Sequence, residues 1–471
     1  MTQLVWLRND LRLLDNPALY HACETGQPVR VIYCATPLQW QKHHESPAQL
    51  ALRQSLLKQL SASLAILGIP LDVLETSEFK QLPKLINQYC VQHAIKAMWI
   101  NKQSWLNEKL RDKQVAELLA RNNIQLHSFT DELLVNTPIT TKDLTPYRVF
   151  TPWYKQWLIK LQESNVEILP APSTANDIDA ISAPIIKAHT NISLPLATQY
   201  RDDLWPGSEQ HAIKQLIDFC DHHAVEYEQR RDYPGIRGTS LLSPYLAVGA
   251  ISIRQCYVYL QQACLKQQAP WPEQTWLKEL GWREFYRYLM INKPDIAKGA
   301  AFNPHKEPKW LDNPEHFKAW QEGRTGFPII DAAMLQLKRT GWMHNRLRML
   351  TASFLCKLLL IDWRKGEAYF MQHLIDADFS SNNGGWQWSA STGCDASPWF
   401  RIFNPTLQSE KFDSKGLFIR KMLPQLNALS DKDIHRPNAE QRKLLNYSEP
   451  IIDYTASRAR AINWQREHKS L

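Results

Sequence analysis

Five short apolar runs, at residues 4–8, 29–35, 71–74, 97–101 and 124–129, punctuate the first part of the chain. They are rich in β-branched or aromatic residues and too short for globular helices, which predicts strands. Between them, apolar residues recur at three- and four-residue spacing. Residues 47–67 do so and stop at Gly68 and Pro70, and residues 105–120 repeat the pattern. Strand alternating with helix predicts an α/β domain over residues 1–135, a Rossmann-like, doubly wound parallel sheet. No GxGxxG follows the first strand, so a ligand there needs another mode of binding.

Residues 136–206 read as an interdomain connector. A helix is expected over 147–161, with Trp153, Trp157 and Leu161 on one face. The stretch 165–206 is rich in Pro, Ser, Thr and Asn and lacks periodicity, as a linker or a packed functional loop would be. From 207 to 471 the signals are helical, clearest over 209–227, 253–266, 275–291, 328–338, 342–361 and 366–375. The second domain is therefore predicted to be all-α. There is no internal repeat and no low-complexity tract.

Composition narrows the class. Apolar residues make up 44% and charged residues 22% of the 471, ordinary for a soluble globular protein. No apolar run is long enough to span a membrane. The opening residues lack a basic region followed by an apolar stretch, so no signal peptide is expected. Eight scattered cysteines include no CxxC pair, which speaks against zinc, an iron–sulfur cluster or a disulfide framework and for a reducing cytoplasm. Residues 1–138 hold 14 Lys/Arg against 12 Asp/Glu and the remainder 41 against 35. That excess suits a polyanion partner, and equally a solvated surface. Tryptophan is the anomaly, because 14 of the 18 lie beyond residue 138. Core packing, base stacking and electron transfer could each use them.

Four segments carry candidate chemistry. In residues 276–287, helical spacing puts Glu279, Trp282, Arg283 and Tyr286 on one face. An acid, a base and two large aromatics suit neither an aliphatic core nor open solvent, although a helix docked by its aromatics would look the same. In residues 341–349, Asn345, Arg348 and Met349 share a face and Arg346 points elsewhere, a set suited to phosphate or a polar ring, or to a salt-bridged helix end. In residues 374–388, the Asp376-Ala377-Asp378 triplet leads into Asn382-Asn383-Gly384-Gly385, a turn by composition, and then Trp386 and Trp388. In residues 238–244, the hydroxyls of Thr239, Ser240 and Ser243 could cap a helix or bind phosphate.

Together these segments resemble the photolyase/cryptochrome family, and within it the bacterial class I photolyases. The resemblance covers nearly the whole chain. It begins with Trp6-Leu7-Arg8-Asn9-Asp10-Leu11-Arg12 and Asp15-Asn16, and continues through Phe150-Thr151-Pro152 and Tyr227-Glu228-Gln229-Arg230-Arg231-Asp232. It ends with Phe400-Arg401-Ile402-Phe403-Asn404-Pro405.

The resemblance implies a U-shaped FAD in the helical domain. Tyr227, Thr239, Ser240, Leu241, Leu242 and Ser243 would cradle its phosphates. Trp276, Arg283, Asn345, Arg348, Asp376, Ala377, Asp378 and Asn382 would contribute to its surroundings, and the carboxylate pair Asp376 and Asp378 is then no metal site. Leu241 departs from the family, which often has Arg there. The implied reaction is light-driven repair of cyclobutane pyrimidine dimers in DNA, by electron transfer from reduced FAD to a flipped-out dimer. Trp282 and Trp388 would wall the dimer, Glu279 and Asn345 would bond its polar edge, and Met349 and Tyr286 would pack beside it. Arg231, Arg346, Arg401 and Gln408 would meet the DNA backbone. Trp310, Trp363 and Trp386 match an electron relay that reduces oxidised flavin. Asn107, Glu108 and Lys298 match positions that hold a methenyltetrahydrofolate antenna, with 8-hydroxy-5-deazaflavin the alternative. The protein is expected to act as a monomer. Two rivals are a signalling cryptochrome, for which no long tail is left after residue 464, and a (6-4) photoproduct photolyase, for which His344 is the one suggestive residue.

Overall fold

The computed structural model of the chain describes residues 2–173 and 191–468, so residues 174–190 of the expected connector lie outside the described residues. Every predicted apolar run in the first part is a strand. β1 (Thr2–Leu7), β2 (Val29–Ala35), β3 (Leu71–Glu75), β4 (Ile95–Lys102) and β5 (Gln125–Thr130) form one sheet in the order β3-β2-β1-β4-β5. All four pairings are parallel. Leu4, Trp6, Ile32, Met98 and Ile100 pack against Ile86, Val115 and Leu119 from the helices Leu82–Gln92 and Leu106–Arg121. Each such side chain contributes about 2 kcal/mol on burial. The strand order reverses between β1 and β4, so the crevice beyond their carboxyl ends is where an open α/β sheet takes a ligand.

Among the described residues, every element after β5 is helical. The helix Phe150–Glu163 buries Trp153, Trp157 and Leu161 as its spacing requires. Three expectations fail. The helix expected over 209–227 stops at His222, and Tyr227–Arg230 is a separate turn. The single helix expected over 342–361 is Asn345–Ser353 followed by a π turn, Phe354–Leu358. The glycine-rich stretch 382–385 is no turn but lies inside the helix Phe379–Ser389. The Asp378 side chain accepts the Ser381 N–H at 2.9 Å and starts that helix ahead of the two glycines, whose cost of about 1 kcal/mol each is offset by packing. Trp386 supplies that packing. It seats on Gly366 of the helix Trp363–His373, where any Cβ would collide with its ring.

The chain divides into two compact units. One comprises Met1–Val225, Ser240–Ala297 and Ile375–Ala377, and the other Glu226–Thr239, Lys298–Leu374 and Asp378–Leu471. Within the first, Gly249 (φ +73°) packs so tightly on the Asn9 carbonyl that a side chain there has no room. Arg12 and Arg254 share the buried Asp131 carboxylate at 2.5 and 2.7 Å, and Arg254 also reaches Asp15 at 3.0 Å. These contacts tie the loops after β1 and β5 to the helix Ile253–Lys266.

Candidate active site

In the first unit, the helix Thr275–Asn292 presents the expected face. Glu279, Trp282, Arg283 and Tyr286 are all half-buried, while Trp276, Leu277, Leu280 and Phe285 are buried. Trp282 stacks on Phe150 with centroids 3.7 Å apart and planes 8° apart, so its ring is held rigidly. Trp276 packs on Phe219 at 4.9 Å, and Arg283 donates to the Glu132 carbonyl at 3.3 Å. Sequence reasoning missed Glu284, whose carboxylate accepts the N–H groups of Leu134 and Val135 at 2.8 and 3.2 Å. Burial pushes that carboxyl up to about 7.

The hydroxyl-rich stretch does not cap its helix as expected. Ser243–Val248 begins at Leu242 with no side-chain cap. Leu241 adopts φ +55°, in the left-handed region, and the Ser240 hydroxyl accepts the Leu242 N–H at 3.4 Å, a local turn in place of a cap. The Ser240 carbonyl is held by Gln215 at 2.8 Å. Asp376 and Ala377 are buried, and their segment is pinned by Gln49, which donates to the carbonyls of Ile375 (3.1 Å) and Ala377 (2.8 Å). Gln49 is 0% exposed. In the sequence it reads as one more polar position on a helix.

Beyond β1 and β4 the crevice is filled by the chain's own side chains. The guanidinium groups of Arg8 and Arg111 lie 4.7 and 4.6 Å from the Trp6 ring centre. Arg8 donates to the Asn101 carbonyl, and Arg111 to Asp112 at 2.7 Å and Gln103 at 2.8 Å. Asn101 in turn donates to Asp10 at 2.7 Å. Beside this network stand Asn107, exposed and 3.4 Å from His43 Nε2, and Glu108, half-buried. Burial pushes the Glu108 carboxyl up to about 7, against the pull of Arg111.

In the second unit, Arg346 gathers three segments. It pairs with Asp232 at 2.7 Å and lies 4.5 Å above the Phe412 ring of the helix Pro405–Phe412, which also carries Gln408. Arg231 lies 5.4 Å over Tyr227 in the turn just before Asp232. Asn345 is exposed at the start of its helix, Arg348 and Met349 are half-buried, and Arg348 donates to the Met343 carbonyl at 2.8 Å. His344 caps this helix, its Nδ1 accepting the Arg346 N–H at 3.2 Å. Burial pushes its pKa down to about 4, so at neutral pH the ring is uncharged and committed as an acceptor. Thr239 is half-buried, Arg401 is exposed, and Lys298 ends the short turn Pro294–Lys298.

The helices Trp363–His373 and Phe379–Ser389 meet around an acid that sequence reasoning also missed. Glu367 accepts Asn383 Nδ2 on its carboxyl at 2.8 Å and Asn382 Nδ2 on its backbone carbonyl at 3.0 Å. Burial pushes its carboxyl up to about 7. The Asn382 amide is thereby oriented, with its oxygen turned away from Glu367. Its position one turn after Trp363 was the available signal. Trp363 and Trp386 are buried. Arg364 lies 4.6 Å over Trp363 and bonds Glu307 at 2.5 Å, and Glu307 accepts Trp310 Nε1 at 3.1 Å. Burial raises the Glu307 carboxyl, but the hydrogen bonds from Arg364 and Trp310 outweigh it and hold it below its usual range. Trp388 is half-buried on the same helix as Trp386.

No group of three or more His, Cys, Asp or Glu able to hold a metal occurs among the described residues, and no described helix is long and apolar enough to cross a membrane. The family described as DNA photolyase matches residues 3–173, and the one described as FAD binding domain of DNA photolyase matches residues 276–467. The deoxyribodipyrimidine photo-lyase of Escherichia coli (strain K12) is 44% identical over 468 residues, 98% of each chain. Among solved structures, a bacterial class III photolyase from Agrobacterium tumefaciens aligns with a TM-score of 0.84 at 34% identity, covering 100% of this chain and 98% of that one. A cryptochrome from Synechocystis sp. PCC6803 also gives 0.84, at 28% identity and 98% of each chain. Two family matches spanning both halves, and 44% identity over nearly the whole length, place this chain in the photolyase/cryptochrome family.

Proposed function

We propose that the chain repairs cyclobutane pyrimidine dimers in DNA, acting as a light-dependent carbon–carbon lyase with FAD. The observation that carries the reading is the orientation of Asn382. Its Nδ2 is spent on the Glu367 carbonyl, so the amide oxygen is the edge offered to a ligand, and an acceptor suits the N5–H of reduced flavin. The other residues proposed for FAD are Tyr227, Thr239, Asn345, Arg348 and Asp378 in one unit and Ser240, Leu241, Leu242, Ser243, Trp276, Arg283, Asp376 and Ala377 in the other. Their donors and acceptors suit a flavin's polar edge and a diphosphate. With Leu at 241, phosphate binding leans on backbone amides. When bound, reduced and excited by light, FAD supplies the electron that opens the two bonds joining the pyrimidines and then takes it back.

The chain's own residues do the rest. Trp282, backed by Phe150, and Trp388 offer apolar walls to the extruded dimer. Glu279 and Asn345 bond its polar edge, with Met349 and Tyr286 beside it. Extrusion costs least for a damaged pair, which favours the dimer over intact bases. Arg231, Arg346, Arg401 and Gln408 meet the backbone. Trp310, Trp363 and Trp386 pass electrons inward, and the Glu307 carboxylate beside Trp310 favours positive charge on that ring as it gives one up. His344, neutral and committed to its helix cap, is not available as an acid, which removes the residue that suggested (6-4) repair.

Asn107, Glu108 and Lys298 are proposed to hold methenyltetrahydrofolate rather than 8-hydroxy-5-deazaflavin. The filled crevice around Arg8, Trp6 and Arg111 supports an antenna at its rim, where Glu108 suits a pterin's hydrogen-bonding edge. The deciding experiment gives the protein an oligonucleotide with one thymine dimer. Intact thymines should return under blue light and not in the dark, and a product unchanged by light overturns the reading.

A further inference from the structure

Lys357 occupies a place where a charged side chain is costly. It lies in the π turn Phe354–Leu358, 1% exposed, with Phe354, Leu355, Cys356 and Leu358 buried around it. Its Nζ is 3.1 Å from the Pro398 carbonyl and 3.1 Å from the Arg401 carbonyl. Those two residues are the ends of one tight turn, closed by the Arg401 N–H donating to the Pro398 carbonyl at 3.0 Å. Inside the turn, Trp399 points inward, 3% exposed, and its Nε1 donates to the Ala461 carbonyl at 2.8 Å. Phe400 is 70% exposed, and Arg401 is exposed beside it. Trp399 and Lys357 thus fix the turn from within while Phe400 and Arg401 face out.

The chemistry of the amine matches this task. Burial pushes its pKa down to about 7, with the nearby Arg401 charge acting in the same direction. A neutral amine has two N–H donors, and the turn offers two carbonyls. A methionine or leucine would fill the same space without burying a polar head, so packing alone does not call for lysine.

We propose that Lys357 is a positioning residue for DNA binding: its amine ties together both ends of the 398–401 turn and thereby holds Arg401 outward for the phosphate backbone. This rests on the reading of Arg401 as a DNA contact.

Lys357→Met keeps the stem and removes both donors. With FAD-loaded protein, three quantities are read: the Kd for a duplex carrying one thymine dimer, the rate of light-driven flavin reduction, and repair per flash at saturating DNA. The Kd should rise about tenfold, the scale of two lost hydrogen bonds, and the other two should not move. Arg401→Ala should weaken binding comparably. Lys357→Met combined with Arg401→Ala should bind no worse than Arg401→Ala alone, because the lysine acts through the arginine. Lys357→Gln, which retains N–H donors, should recover part of the affinity and serves in the same assays should Lys357→Met not fold. Wild-type affinity in the lysine variants beside a weakened Arg401→Ala overturns the proposal alone, as does multiplication of the two effects. Wild-type affinity in Arg401→Ala overturns the placement of Arg401 on DNA and the proposal with it.

Discussion

Polar side chains cluster in two regions, and they are used in opposite ways. Beyond β1 and β4, Arg8 and Arg111 are 6% and 4% exposed and donate to Asn101, Asp112 and Gln103. In the second unit, Asn345 and Arg401 are exposed, and Arg231, Arg346, Arg348 and Asn382 are half-buried. There an internal contact orients a group, as the Glu367 carbonyl holds the Asn382 amide and leaves its oxygen for a ligand. A network satisfied from within stabilises a fold. One satisfied from one side only waits for a ligand. Substitutions in these two clusters should therefore divide: photochemistry or DNA binding should fail in the second, and stability or antenna binding in the first.

The largest effect should come from Trp310→Phe. It should abolish light-driven reduction of oxidised flavin, while chemically reduced protein still repairs dimers. Absorption during illumination and a repair assay after dithionite treatment separate the two. Parallel loss of both would make Trp310 part of the repair step itself. Next comes Asn382→Asp. A carboxylate facing the Glu367 carbonyl must either ionise against that oxygen or take up a proton, and that proton can pass between the two oxygens, so the edge facing a ligand can donate where the amide oxygen could only accept. FAD should still bind, but light-driven bleaching of its absorption should stall before completion. Bleaching at the wild-type rate would remove Asn382 as the N5 partner.

Arg111→Ala should act in the other region. It strips Asp112 and Gln103 of a buried partner and uncovers Trp6, so unfolding in urea should show a loss of about 3 kcal/mol. Repair per flash under light absorbed by the flavin should be unchanged, and a fall in that quantity would break the comparison.

The first region was legible because its signal is periodic. Val29–Ala35 reads as a strand from its own residues, and Leu106–Arg121 as a helix from its spacing. The helix Phe379–Ser389 was misread because its stability comes from a cap at Asp378 and from Trp386 on Gly366, a contact twenty residues apart in sequence. The roles of the candidate residues in the second region came from resemblance, since Asn345 or Arg401 alone would pass for surface. What neither route reached were the groups behind them. Gln49 and Lys357 donate to carbonyls distant in the chain, and Glu367 accepts from the amides of Asn382 and Asn383 on another helix, so nothing local marks any of the three.

The smallest effect, and the one that tests the rim of the first region, is a pH slope at Glu108. Its carboxyl is raised to about 7 in the fold against 4.5 for the free side chain. The unfolded chain therefore gives up this proton at lower pH than the folded one. The group adds nothing below the unfolded value, and stability falls as pH rises from about 4.5 to 7. Folate binding should run the other way. A pterin edge offers two N–H donors, which an ionised carboxylate accepts together and a protonated acid does not. Binding then has to expel the proton below pH 7 and is free of that cost above it. Affinity for methenyltetrahydrofolate should rise about tenfold from pH 6 to pH 8 and flatten beyond. Glu108→Gln should bind more weakly at pH 8 and show no such slope, while its unfolding free energy should lose the decline between pH 4.5 and 7. Titrating the folate absorption at three pH values measures the first, and urea unfolding over the same range measures the second. A Glu108→Gln protein that keeps the wild-type slope in folate affinity would place the titrating group elsewhere on the rim, and His43, 3.4 Å from Asn107, would be the next to test.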